Sequence, residues 1–330
     1  MIEIHLTRRP FLRWRRETLS ERATGGLYLG VSTLSASSFN SFAKTLTGAF
    51  SALTLLFVSE LLTAFFVLFS FGCVPTLKRI LRLKSADLRW MIVMGCLSGI
   101  AGPMLWFTGL SFTTAINAGF FGKSEMIFLL LLAHFVLREK ITSAHFAAII
   151  TVLAGITVIS LHGFTEGLSL QKGDLLIMLA ALCYGTGNIV FRKKLSHIEP
   201  HLVLFSRSCT AIATFFLISP FLQHPFIQEV RAFPLVLLPA LIGFGFISRF
   251  LNSVTYYQAI ERLPVTTVSL VGTLDIIGSM LFAFLYLGEP ILWYHYLGGT
   301  FILLGNILLE LLGTHPSEEH LEQHLKQRMP

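Results

Sequence analysis

A chain of 330 residues that is 54% hydrophobic and only 13% charged, with a mean hydropathy of +0.71, carries more apolar surface than a soluble domain can keep from water. It belongs in a bilayer. The net charge of +7 is spread over short connections and leaves no folded basic patch for nucleic acid. The four cysteines, Cys73, Cys96, Cys183 and Cys209, lack the paired spacing of a disulfide framework or a zinc site.

Residues 1–24 form a basic segment in which "FLRWRRETL" interleaves aromatics with arginines, as suits an anionic inner leaflet. Apolar runs long enough to cross hydrocarbon then recur with short breaks. They predict ten spans, at 25–45, 51–73, 88–110, 114–137, 143–162, 173–192, 201–222, 234–257, 265–287 and 291–312. Residues 313–330 make a polar tail; its His320 and His324, at i and i+4, match metal spacing but read as a solvated helix.

The first span is polar along one face, with Thr33, Ser37, Asn40, Ser41 and Lys44 in helical register. Glu60 lies within the second span and Trp106 within the third. The fourth holds Lys123 and Glu125, two apart and therefore on different sides of a helix. Asn188 follows in the sixth, Arg207 in the seventh, Arg249 and Tyr256 in the eighth, and Asp275 in the ninth. A charge at such depth costs ~2.5–3.5 kcal/mol on insertion scales. Two explanations stay open: interhelical ion pairs that fix register, or the lining of a wet solute path. The expected substrate-binding set is Asn40, Glu60, Trp106, Lys123, Glu125, Asn188, Arg207, Arg249, Tyr256 and Asp275.

The two halves match at a shift of about 150 residues. Residues 124–146 overlie 274–296, which superposes Glu125 on Asp275, Glu139 on Glu289 and His145 on His295. Ala148 and Gly155 fall on Gly298 and Gly305, Trp106 on Tyr256 and, at a shift of 148, Asn40 on Asn188. With five spans in each half, the second crosses in the opposite sense. Inverted repeats of this kind hold a midplane site between them. Nineteen Lys and Arg fall on the side of the termini, against Lys44, Lys172 and Arg231 on the other, so both termini are expected in the cytoplasm.

Two acidic residues, each followed fourteen positions later by a Glu at the end of the span, resemble the EamA-type repeat of the drug/metabolite transporter superfamily. "GEPILWYHYLGG", "REKITSAHFAAI" and "YQAIERLPVTTVSLVG" carry the likeness, which covers about residues 25–312. The family's proline after the acid is Met126 in one half and Ile276 in the other, so a proline-driven helix break is not expected. The resemblance implies an all-α membrane protein of ten transmembrane helices as two inverted five-helix repeats, 25–162 and 173–312, with spans 5 and 10 outside a central cavity. It implies secondary transport of a small organic solute such as an amino acid, with export favoured, in the cell's inner membrane.

A lipid flippase or a membrane-embedded enzyme is the competing reading. No nucleophile–base set, metal cluster or phosphate-binding loop occurs in the sequence, so neither catalysis nor a cofactor is expected. The first span lacks the acid that small multidrug-resistance relatives use for proton coupling. That mechanism does not carry over; if transport is proton-coupled, the midplane Glu125, whose repeat mate is Asp275, is the candidate group. The solute and the lipid are the expected partners, for a monomer or a homodimer.

Overall fold

The computed structural model describes residues 21–137, 142–162, 171–260, 262–263 and 265–312. Glu139, the N-terminal aromatic–arginine segment and the histidines of the tail lie outside them. The chain is a bundle of helices. Seven of those described are long and apolar enough to cross a membrane.

In chain order, α1 (Glu21–Ser37) and α2 (Phe39–Thr47) share the first predicted span, and α3 is Ala52–Phe71. Then come α4 (Ser85–Phe112), α5 (Ala115–Gly122), α6 (Ser124–Leu132) and α7 (Ser143–Ser160). The second half has α8 (Lys172–Leu195), α9 (Pro200–Ile218), α10 (Leu235–Tyr256), α11 (Val265–Gly272), α12 (Asp275–Leu287) and α13 (Trp293–Leu312). The outward surface is apolar: Leu34, Phe65, Phe69, Phe216 and Leu285 are all well exposed. That is affordable only where lipid replaces water.

The fourth and ninth spans are broken although neither carries the family's proline. The fourth is interrupted at Lys123 and the ninth at Thr273 and Leu274, with Gly122 and Gly272 as the last helical residues before each gap. Neither break uses proline. Each acid consequently starts a fresh helix, Glu125 in the first turn of α6 and Asp275 in the first turn of α12. A helix N-terminus favours negative charge, which offsets part of the cost of burying it.

The halves also share irregularities that hydropathy does not reveal. A π-helical stretch occupies Gly95–Ala101 in α4 and another Phe244–Leu251 in α10, the same place in each repeat. Such widened turns cluster at functional positions.

Glycine sets the packing of α7 on α13. A Cβ on Gly155 would stand 2.5 Å from the Gly298 carbonyl oxygen, and one on Gly305 would stand 2.9 Å from that of Ala148. Moving each residue to its repeat mate turns the first contact into the second. Two antiparallel helices whose contacts map onto each other in this way straddle a two-fold axis perpendicular to their length. The small-residue stripes read from the sequence are this interface. His145 and His295 are likewise equivalent in action: each Nδ1 accepts the backbone N–H three residues earlier, from Thr142 and Leu292, at 3.1 Å.

Candidate functional site

Three side-chain groups account for the intramembrane charges. The first is sealed. Glu60 on α3 has no exposed surface and accepts from Arg249 Nη2 at 2.5 Å and from Ser208 Oγ at 2.6 Å, with Arg207 Nη2 at 3.5 Å. Arg249 is fixed further by a 3.0 Å bond from its Nε to Thr63 Oγ1. Of the expected site residues, Glu60, Arg207 and Arg249 therefore meet each other across α3, α9 and α10. The backbone of Gly99 makes room for Arg207, whose Cγ would lie 2.6 Å from a Cβ there.

The second group lies at the breaks. Lys123 Nζ donates to Asp275 Oδ1 at 2.7 Å, joining the gap of one half to the acid of the other, and both side chains are about a quarter exposed. Asp275 also borders a cavity of about 260 Å³ lined by Leu29, Ser32, Thr33, Ala36, Asn252, Ser253, Tyr256 and Gly272. Its polar wall is organised from α1 and α10, where Ser32 Oγ donates to Asn252 Oδ1 at 2.8 Å.

The third group faces the opposite repeat element. Asn188 Nδ2 on α8 donates to Glu125 Oε1 at 2.7 Å. Asn40, its mate, behaves differently: it accepts from Trp106 Nε1 at 3.2 Å and donates to Ser279 Oγ at 3.4 Å. Trp106 is flanked by the rings of Phe39 and Tyr184, at centroid distances of 6.3 and 6.0 Å.

Two residues that bound this centre escaped the sequence reading. Tyr184 stands one turn before Asn188 on the same face of α8, a spacing that could have flagged it. Ser279, one turn after Asp275 on α12, could have been found the same way. Ser208 gave no comparable signal.

Other polar residues hold the frame. Glu289 takes the backbone N–H groups of Ala115 and Ile116 at 2.8 and 2.9 Å, capping α5 from the far half. Lys44, expected at the outer end of the first span's polar face, donates to the carbonyl oxygens of Leu110 and Thr113 at 2.5 and 2.7 Å, at the end of α4. At the same face Glu229 accepts from Ser51 N at 3.0 Å and His224 bonds Thr54 at 2.8 Å, fastening the α9–α10 connection onto the start of α3.

Comparison with known proteins agrees with this architecture. The profile of the EamA-like transporter family matches twice, over residues 23–161 and 171–311. A protein of Methanothermobacter thermautotrophicus described as an uncharacterized transporter is 26% identical over 231 residues, 69% of this chain and 66% of its own length. The chain thus spans just under two thirds of that relative. The Bacillus subtilis uncharacterized transporter YyaM is 22% identical, over 65% of this chain and 70% of its own. A Synechocystis uncharacterized transporter is 23% identical, over 70% and 68% respectively. A solved crystal structure of another protein has the same fold, with a TM-score of 0.59 over 91% of this chain and 99% of the other, at 19% identity.

Proposed function

Because the chain belongs to the EamA-like transporter family, we propose that it exports a small zwitterionic solute such as an amino acid by alternating access. It is a multi-pass membrane protein that moves a small solute. The observation that carries the finer reading is the Lys123–Asp275 pair beside the cavity. A solute ammonium competes for Asp275 and a solute carboxylate for Lys123. Each charge then exchanges one partner for another, and none is stranded in a dry site.

Size and position support the same choice. A cavity of about 260 Å³ lies below the ~300–1,000 Å³ of pockets for drug-sized ligands. Repeats 25–162 and 173–312 are the bodies that rock, with segments 1–24 and 313–330 and both termini in the cytoplasm of the inner membrane. Leu29 and Tyr256 then line the cytoplasmic half of the site, so solute loads from inside. Glu125 is the coupling group: the neutral Asn188 amide donates to it, whereas Asp275 is hydrogen-bonded directly to the Lys123 ammonium. One chain holds the complete site, whether it works singly or as a homodimer.

Everted vesicles supplied with an amino-acid panel test this. Lys123→Gln and Asp275→Asn should each cut accumulation of the transported solute by about 10- to 100-fold, the equivalent of one charged hydrogen bond. Lys123→Asp combined with Asp275→Lys should recover part of it. Transport of an uncharged solute at full rate by the Lys123→Gln/Asp275→Asn double variant would remove the zwitterion reading.

A further inference from the structure

Between α3 and α4 the chain makes a short helix, Cys73–Leu81, of nine residues, too few to span a bilayer. Gly72, at φ +82°, turns the chain out of α3 into it, a conformation that a side chain would strain. One side of this helix is packed. Thr76 is fully buried, its hydroxyl donating to the Gly72 carbonyl at 2.7 Å. Ile80 lies against the buried clusters around Leu195 and Phe205. The other sides face outward. Val74, Leu77 and Leu81, at i, i+3 and i+7, form one exposed apolar stripe, with Leu81 at 83%. Lys78 and Arg82, four apart and each one residue further on, form an exposed basic stripe beside it. Neither pairs with an acid among the described residues, whereas Arg79 is bonded to Glu199, the residue before α9.

The equivalent connection of the other half shows what is particular here. Its short helix, Phe226–Ala232, also exposes apolar side chains, Ile227 and Val230. Its two charges, Glu229 and Arg231, cancel, and Glu229 is held by Ser51. Inverted repeats put the two helices on opposite faces of the membrane, each with the posture of a helix lying along the hydrocarbon boundary. The helix between α3 and α4 adds a basic face. A topological signal requires basic residues near the span ends, in no particular register. Lys78 and Arg82 are instead aligned on a helix whose back is fixed by Thr76 and Ile80.

We propose that Lys78 and Arg82 bind the headgroup phosphate of an anionic phospholipid whose acyl chains lie along Val74, Leu77 and Leu81. An ammonium and a guanidinium fork on adjacent turns suit one phosphodiester. A zwitterionic headgroup brings its own cation and is the poorer match. In the proposed orientation this is the cytoplasmic leaflet, whose surface is negative. The lipid steadies a connection that, through Arg79 and Glu199, joins the end of α3 to the start of α9. The inference depends neither on the solute's identity nor on alternating access.

Lipid titration of the purified full chain tests it. In neutral detergent, phosphatidylglycerol in mixed micelles should raise the unfolding temperature saturably, and phosphatidylcholine at the same mole fraction should raise it less. Lys78→Gln/Arg82→Gln should increase the half-saturating mole fraction of phosphatidylglycerol roughly 10- to 30-fold, the worth of two basic residues at an anionic surface. Lys172→Gln/Arg231→Gln removes the same charge from the opposite face and should shift it by less than about twofold. Leu81→Gln, at a side chain that packs on nothing inside the bundle, should weaken phosphatidylglycerol about three- to tenfold. It decides the matter if the double variant fails to fold. Inorganic phosphate, which has the headgroup's charge without its chains, should leave the unfolding temperature where it was. An unchanged titration in Lys78→Gln/Arg82→Gln or in Leu81→Gln overturns the site. Equal weakening by the two double variants also overturns it, as a general charge effect. Stabilisation by inorganic phosphate equal to that by lipid would show a soluble-anion site in its place.

Discussion

Glu60→Gln is the most informative single substitution for separating frame from path. The glutamate has no exposed surface and faces two guanidinium groups, at 2.5 and 3.5 Å. An attraction between unit charges at 4 Å is worth about 4 kcal/mol at an effective dielectric constant of 20. Glutamine keeps the shape and can still accept from Ser208, but Arg249 is then a cation whose side chain is 9% exposed, with a hydroxyl at Thr63 as its remaining neutral partner. Removing one member of a buried pair typically costs ~3–5 kcal/mol, because the other charge is left behind. Arg207 is 21% exposed and recovers some solvation, so the expected loss is toward the lower end, about 3 kcal/mol. Unfolding of the purified protein in mild detergent, followed by denaturant titration, measures it. Arg249→Met in the Glu60→Gln background should cost less than the sum of the two single changes, because no unpaired cation remains at that position. A Glu60→Gln protein of unchanged stability that fails to transport would refute this reasoning and put the cluster on the solute path.

Two further outcomes follow from the geometry. Glu125→Gln should keep energy-independent counterflow but lose accumulation driven by a proton gradient; unchanged pH dependence of accumulation in vesicles would show that coupling lies elsewhere. Glu289→Gln weakens charge-assisted acceptance from Ala115 and Ile116, which should lower stability by about 1–2 kcal/mol with solute specificity intact; a shifted specificity profile would mean that Glu289 does more than cap α5.

The sequence announced its membrane class, its doubling and most of its polar positions because hydrocarbon imposes simple rules. Spans must be long and apolar, and any charge within them stands out. The stripes Ala148/Gly155 and Gly298/Gly305 were legible for the same reason, since a repeated small residue in an apolar helix has few uses other than close approach. Partners were less legible. Lys123 and Glu125 are two apart in sequence, yet one finds Asp275 across the halves and the other Asn188, a pairing that depends on where the helix breaks. The break at Lys123 has no proline to mark it, and the π-helical stretches at Gly95–Ala101 and Phe244–Leu251 leave no trace in hydropathy. Glu60 illustrates the limit best. Its depth was evident, but nothing local distinguishes a carboxylate that meets solute from one enclosed by Arg249 and Ser208.

The enclosed cluster also says something about the cycle. At the shift that relates the repeats, Glu60 falls on Ser208 and Arg249 falls on Gly99, so the ion pair across the halves has no symmetry mate. The equivalent place holds Arg207 passing over Gly99. A protein with two identical halves would have end states of equal energy, and its resting side would be set by chance. A strong pair that bridges the halves from α3 to α10 has no equivalent between α9 and α4, so under the proposed exchange of the halves one arrangement is strained more than the other. Shifting an equilibrium from 1:99 to 99:1 takes about 5.5 kcal/mol, an amount that a buried charge cluster and a handful of amide bonds can supply together. Under the proposed alternating access, the departures from symmetry at Glu60, Arg249, Trp106 and Tyr256 are where a resting side can be chosen, on a scaffold whose α7–α13 seam is symmetric.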